Sequence, residues 1–114
     1  MDLVFEIKQK NDELTQSIRL LRKNGEELAN REKEYKIKLC QEALKLRQDK
    51  KMPVTLIDQI IYGMPEVAKL RFERDVAGAM YEANKEHINV VKLQIRLLEN
   101  QIQREFSVTG RDNF

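Results

Sequence analysis

Both prolines of this chain lie in one short central segment. Residues 3–49 contain no proline and a single glycine, Gly25, while both prolines, Pro53 and Pro65, lie in the middle of the sequence. Proline disfavours helix at the residue that precedes it, and an interior glycine costs a helix about 1 kcal/mol relative to alanine. The sequence therefore favours two long helices with one interruption between them.

Residues at the inward positions of both long segments recur at the three- and four-residue spacing of a helix that packs lengthwise against another. We call each such row a seam. The first seam comprises Val4, Ile7, Leu14, Ile18, Leu21, Leu28, Tyr35, Leu39 and Leu46. The second comprises Val67, Leu70, Arg74, Ala77, Tyr81, Asn84, Ile88, Val91, Ile95, Leu98 and Ile102. The pattern predicts one domain over 1–114, with helices over 3–49, 55–62 and 65–106 and a frayed tail over 107–114.

An amphipathic helix of this length is not stable in water until its apolar row is covered. We therefore expect an all-α fold, an antiparallel coiled-coil-like hairpin of two long helices with a short connecting helix. The register that suits the seams best pairs Leu46–Leu70, Tyr35–Tyr81 and Leu28–Ile88. It also matches Glu42 with Arg74 and Glu32 with Asn84. Because unpaired buried polar groups are costly, these two polar layers are predicted to fix the register.

The third helix carries a second apolar row beside its seam. One interpretation is that the short helix and the curvature of the first helix cover part of this row. The other is an oligomer interface, most simply a two-fold homodimer with a four-helix core. The predicted interface residues are Val76, Ala79, Ala83, Val90, Leu93 and Leu97.

The connecting segment, residues 50–65, is the part least like a coiled coil. One interpretation is that its aliphatic residues plug the end of the hairpin; these are Leu56, Ile57, Ile60 and Ile61. The other is that a mixed basic and apolar group binds a partner, since Met and Tyr suit adaptable contact surfaces. The members of this group, which we call the tip candidates, are Lys50, Lys51, Met52, Tyr62, Met64 and Arg71.

The sequence offers little for catalysis. It has no glycine-rich phosphate loop, no Ser–His–Asp set and no metal-ligand spacing, and its only histidine is His87. We expect no enzyme activity, no cofactor and no metal. No run approaches 18 apolar residues, so no membrane span is expected. The single cysteine, Cys40, has no disulfide partner, which favours a cytoplasmic location, the host cytoplasm if the gene belongs to a phage.

Four stretches carry a resemblance to a known group of proteins. Residues 52–57, 68–77, 92–99 and 103–107 read MPVTLI, AKLRFERDVA, KLQIRLLE and QREFS. The chain from about residue 14 resembles a family of small uncharacterised coiled-coil proteins of phages and prophages of Gram-positive bacteria. This resemblance implies an accessory gene, often near recombination and single-strand-binding functions. Phage accessory proteins of this size are frequently inhibitors of host defence.

Four functions are open on the sequence. The first is a protein-binding module that uses the tip candidates to bind a partner and inhibit or sequester it. The partner would be a component of host defence, or one of replication or recombination. The second is a nucleic-acid-binding accessory factor that uses Arg47, Lys50, Lys51, Arg71 and Arg74. Its affinity would fall steeply with salt, because phosphate contacts release counterions. The third is an oligomeric sponge for a small anionic nucleotide, and the fourth is a structural spacer in a phage particle.

Overall fold

The computed structural model describes the backbone of residues 2–112 and the side chains of residues 2–108. In chain order the elements are α1 (Leu3–Gln48), α2 (Val54–Ile60), a 3₁₀ helix (Ile61–Gly63) and α3 (Pro65–Asp112). Residues 2–112 contain no strand. The two long helices pack as a hairpin with the short helix between them, which confirms the predicted all-α fold class.

Contacts divide the chain into two compact units. The central unit is Lys23–Tyr81, which holds the second half of α1, α2, the 3₁₀ helix and the start of α3. The terminal unit combines Met1–Arg22 with Glu82–Phe114, of which the structure describes residues 2–22 and 82–112. Each unit has its own set of buried seam residues.

The core of the central unit joins the connecting segment to both long helices. Its buried members are Tyr35 and Leu46 of α1, Ile57 of α2, Ile61 of the 3₁₀ helix and Val67 of α3. Val67 is fully buried, with 0% of its surface exposed. Burial of a side chain of this size contributes about 1.5–3 kcal/mol. The short helical elements therefore belong to the core and are more than a turn between the long helices.

The predicted register is wrong in the central unit. The side chain of Leu28 lies against Gly78, and the ring of Tyr81 lies against Gly25, where the prediction paired Leu28 with Ile88 and Tyr81 with Tyr35. The pairing is displaced by ten residues, which is about 15 Å along a helix axis.

The connecting segment explains this displacement. Lys38 Nζ lies 2.6 Å from Glu66 Oε2, so α3 begins opposite residue 38 of α1. The remaining turns of α1, from about residue 39 to Gln48, extend past the start of α3 and pack against α2 and the 3₁₀ helix instead. The prediction had placed α3 along these last turns.

The core of the terminal unit is supplied mainly by α3. Asn84, Ile88, Val91 and Ile95 are buried there, together with Ser17 of α1. The side-chain amide of Asn84 donates a hydrogen bond to the backbone carbonyl of Ser17 at 3.1 Å. A carbonyl oxygen has two lone pairs, so it can accept this bond besides the helical one.

The helix boundaries differ from the prediction in three places. α1 ends at Gln48 because Lys51 adopts a left-handed backbone with φ of 49°, and the Met52 N–H donates to the Leu46 carbonyl. The short helix predicted over 55–62 is divided, with α2 starting after Pro53 and a 3₁₀ turn following it. α3 continues to Asp112, although fraying was expected from Ser107. No proline interrupts this tail, and a single interior glycine is tolerated by a helix. Residues 113 and 114 lie outside the described residues.

Replacing the central unit's two interior helical glycines by alanine is expected to stabilise the protein. A Cβ at residue 78 would lie 3.7 Å from the Leu28 side chain, and one at residue 25 would lie 3.5 Å from the Tyr81 ring, both ordinary contacts. We expect Gly78→Ala and Gly25→Ala each to raise the free energy of unfolding in urea by about 1 kcal/mol. Gly63→Ala, outside the α-helices, is the comparison: no atom lies within 4 Å of the added Cβ and its φ is not positive, so it should not destabilise the protein. Destabilisation by the first two changes would contradict the described packing.

Candidate partner-binding surface

The connecting segment leaves many of its side chains in solvent. Its backbone is fixed at both ends, since Leu56 and Ile57 donate to the Pro53 carbonyl and Ala68 donates to the Met64 carbonyl. Met64 is extended, as a residue before proline prefers to be. The segment therefore presents its outer residues from a defined backbone.

The six tip candidates separate into two groups. Lys50, Lys51, Tyr62 and Arg71 are exposed. Met52 and Met64 are half-buried and pack against the core of the central unit, so the prediction that they face a partner is corrected. Methionine is flexible enough to fill the irregular space beside a short helix.

The aliphatic residues of the segment also divide between two roles. Ile57 and Ile61 are buried, as the plug interpretation expected. The exposed aliphatic residues are Val54, Leu56 and Ile60. Sequence inspection alone did not assign Val54 or Ile60 to a binding surface, because a two-turn helix has too few residues for its buried side to be recognised from periodicity.

Positive charge is concentrated around this segment. Between Arg47 and Arg71 the chain carries five basic and three acidic residues, an excess of two positive charges. This excess equals the formal net charge of the whole chain, +2, so basic and acidic residues balance elsewhere. Among residues 2–108, whose side chains the structure describes, no ion pair is formed by any of the five cations, which are Arg47, Lys50, Lys51, Lys69 and Arg71.

Three of these cations lie beside features that could hold a partner's side chain. The guanidinium of Arg71 is 5.2 Å from the centre of the Tyr62 ring, a cation–π arrangement that orients the arginine while leaving it exposed. Arg47 and Lys51 line a shallow depression with Met52 and Pro53. We define the tip surface as the exposed residues Arg47, Lys50, Lys51, Val54, Leu56, Ile60, Tyr62 and Arg71.

The two predicted polar layers are not formed as pairs. Arg74 does not pair with Glu42; its guanidinium lies over the Tyr35 ring at 4.6 Å and donates two hydrogen bonds to Asp75 Oδ1. The bond to Asp75 raises the pKa of Arg74, to which Glu32 also contributes through its charge. Glu32 thus acts on Arg74, while the predicted partner Asn84 is bonded to Ser17. The displaced register explains both changes.

Glu42 belongs to a short ionic chain between α1 and α3. It is only 7% exposed, and its Oε1 lies 3.2 Å from Lys38 Nζ and 3.4 Å from Lys45 Nζ. Lys38 also contacts Glu66. The hydrogen bond from Lys38 lowers the pKa of Glu42, and the bond to Glu66 raises the pKa of Lys38. These charges stabilise the meeting of the two helices beside the core.

The predicted oligomer interface is solvent-exposed in the single chain. Val76 and Ala79 lie in the central unit, and Ala83, Val90, Leu93 and Leu97 lie in the terminal unit. Phe72 and Met80, which the prediction omitted, are also exposed in the central unit. Their helical spacing next to Val76 is the signal that could have identified them.

Comparison with known proteins assigns no family. No family model matches this chain, and no curated protein or solved structure matches it. In the described part of the chain, no helix is long and apolar enough to cross a membrane. A search of the same residues finds no group of three or more His, Cys, Asp or Glu side chains placed to hold a metal ion.

Removing the Glu42 carboxylate is expected to make stability depend less on pH. The folded-state pKa of Glu42 is lowered, so its stabilisation is complete above the unfolded-state pKa and is lost as pH falls through the folded-state value. We expect Glu42→Gln to lower the melting temperature near neutral pH, and the difference from wild type to narrow in acid. Glu99→Gln is the control, because Glu99 is exposed and forms no ion pair with the side chains of residues 2–108. A deficit that stays constant from neutral to acid pH would contradict this role.

Proposed function

We propose that this protein is a non-enzymatic binding module that uses the tip surface to bind an acidic, partly apolar surface of a partner protein. The observation that carries the proposal is the set of cations without an ion-pair partner in residues 2–108, interleaved with exposed aliphatic side chains. Elsewhere on the chain, many charged residues already pair within their own unit, as Arg31 does with Glu27 and Glu73.

The apolar component favours a protein partner over a nucleic acid. Val54, Leu56 and Ile60 are exposed beside the lysines. Interfaces between proteins combine aromatic, aliphatic and Arg contacts in this way, whereas nucleic-acid interfaces are more polar and much more positively charged. Of the five cations in the nucleic-acid hypothesis, Arg74 is half-buried and already bonded to Asp75.

The family resemblance gives the proposal a biological setting. A phage or prophage accessory protein of this kind would inhibit or sequester its target, a host defence protein or a component of replication or recombination. The tip surface is suited to such a role, because hot-spot contacts often come from exposed Arg and Tyr side chains held by neighbours. The Arg71–Tyr62 pair is of this type.

The test is capture from extracts of phage-infected Gram-positive cells with a triple variant, Lys50→Ala, Lys51→Ala and Arg71→Ala. We expect the variant to fold with wild-type helicity and to lose a protein partner that the wild type retains, with affinity reduced at least about tenfold. The captured protein should present an acidic surface, and its association rate should fall as salt is added.

A matched control removes three positive charges at other positions of the chain. Lys33, Lys92 and Arg96 are exposed and make no ion pair in the described chain, so their replacement by alanine should leave capture unchanged. If both triple variants lose the partner equally, the loss follows from the change in net charge and not from the tip surface, which would contradict the proposal. Nucleic acid or nucleotide co-purifying in place of a protein would also contradict it and would favour the accessory-factor or sponge function.

A further inference from the structure

We propose that two copies of this chain associate through α3 of the terminal unit in antiparallel orientation, with Glu86 of each copy against Arg104 of the other. This inference does not depend on the tip surface, because it concerns a different unit of the chain. A second copy of the chain would cover an exposed face of α3, and the contacts between Glu86 and Arg104 would fix the register of the two helices.

The face in question is apolar and unoccupied by α1. Val90, Leu93 and Leu97 are all exposed, Leu97 to 57%. Together with Glu86 and Arg104, these three residues are spaced four, three, four and seven positions apart along α3. Such spacings place them in one row, as in a coiled-coil seam. We call these five residues the Leu97 face. The opposite side of α3 at this level carries the buried seam residues Val91 and Ile95, and the flank between the two rows carries the exposed Lys92, Arg96 and Glu99.

Leu97 lies beside a hollow that could receive an apolar side chain. The hollow is lined by Gln94, Leu97 and Leu98 of α3 and by Glu6, Gln9 and Lys10 of α1, all within the terminal unit. The stems of such long polar side chains can cover apolar surface while their ends stay in water. A leucine from a second helix would therefore meet a concave surface there.

The two charges of the Leu97 face identify the partner. Glu86 and Arg104 are both exposed, and neither has an ion-pair partner among the described side chains, residues 2–108. They lie eighteen residues apart, which is about five turns, so they point to the same side of α3. A two-fold axis near residue 95 would place Glu86 opposite Arg104 twice and Leu93 opposite Leu97 twice, as an interface between identical copies requires.

The same charges disfavour a parallel, in-register pairing. In that arrangement each residue faces its own counterpart, so Glu86 would lie against Glu86 and Arg104 against Arg104. Like charges opposite one another are destabilising, whereas the antiparallel arrangement converts both contacts to attraction. The charge pattern therefore selects orientation as well as partner.

Charge reversal tests the pairing by sedimentation over a concentration series. One substitution, Glu86→Arg or Arg104→Glu, turns two attractions into two repulsions, and we expect the dimer dissociation constant to rise about tenfold. The double variant Glu86→Arg with Arg104→Glu restores opposite charges and should return to the wild-type constant. Glu99→Arg, at an exposed position outside the Leu97 face, should leave the dissociation constant unchanged.

Two results would overturn the proposal. A wild-type chain that stays monomeric throughout the concentration series would contradict the proposed dimer. If each single variant dimerises more weakly and the double variant does not recover the wild-type dissociation constant, the antiparallel register is contradicted. Helicity measured for every variant shows that the fold is intact, and Leu97→Glu offers a second route to dissociation that does not change the pairing of Glu86 with Arg104.

Discussion

The packing of Ile57 and Ile61 against Tyr35, Leu46 and Val67 sets the arrangement of the central unit. These side chains hold the connecting segment along the last turns of α1. As a result α3 starts opposite Lys38, and the contacts that follow, Arg31 with Glu73 and Leu28 with Gly78, take the register that this start imposes. The same packing turns the remaining residues of the segment toward solvent, where they form the tip surface.

Much of the fold could be predicted because helix periodicity is local. Every seam residue of α3 from Val67 to Ile102 is buried or half-buried, including the polar members Arg74 and Asn84. On α1 the prediction failed at Val4 and at Ile18, which are both exposed, whereas Ser17 beside Ile18 is buried. A difference of one position changes the side of a helix by about 100°, so a seam that drifts cannot be followed from spacing alone.

The register could not be predicted, for a reason that also applies to the candidate binding surface. A displacement of one long helix by about three turns keeps nearly the same sides facing inward, so the apolar pattern hardly distinguishes the alternatives. The register depends on how α2 packs, and α2 has only two turns, too few for its buried side to be recognised from the spacing of its apolar residues. The assignment of Met52 and Met64 to a partner failed for the same reason, whereas the exposure of Lys50, Lys51 and Arg71 follows from charge alone.

The central claim is that the connecting segment sets the register between α1 and α3, and nuclear Overhauser effects across the two helices test it most directly. The account predicts cross-peaks between the Leu28 methyl groups and the Gly78 α-protons, and between the Tyr81 ring and the Gly25 α-protons. Cross-peaks from Leu28 to Ile88 and from the Tyr81 ring to the Tyr35 ring, in place of these, would contradict it.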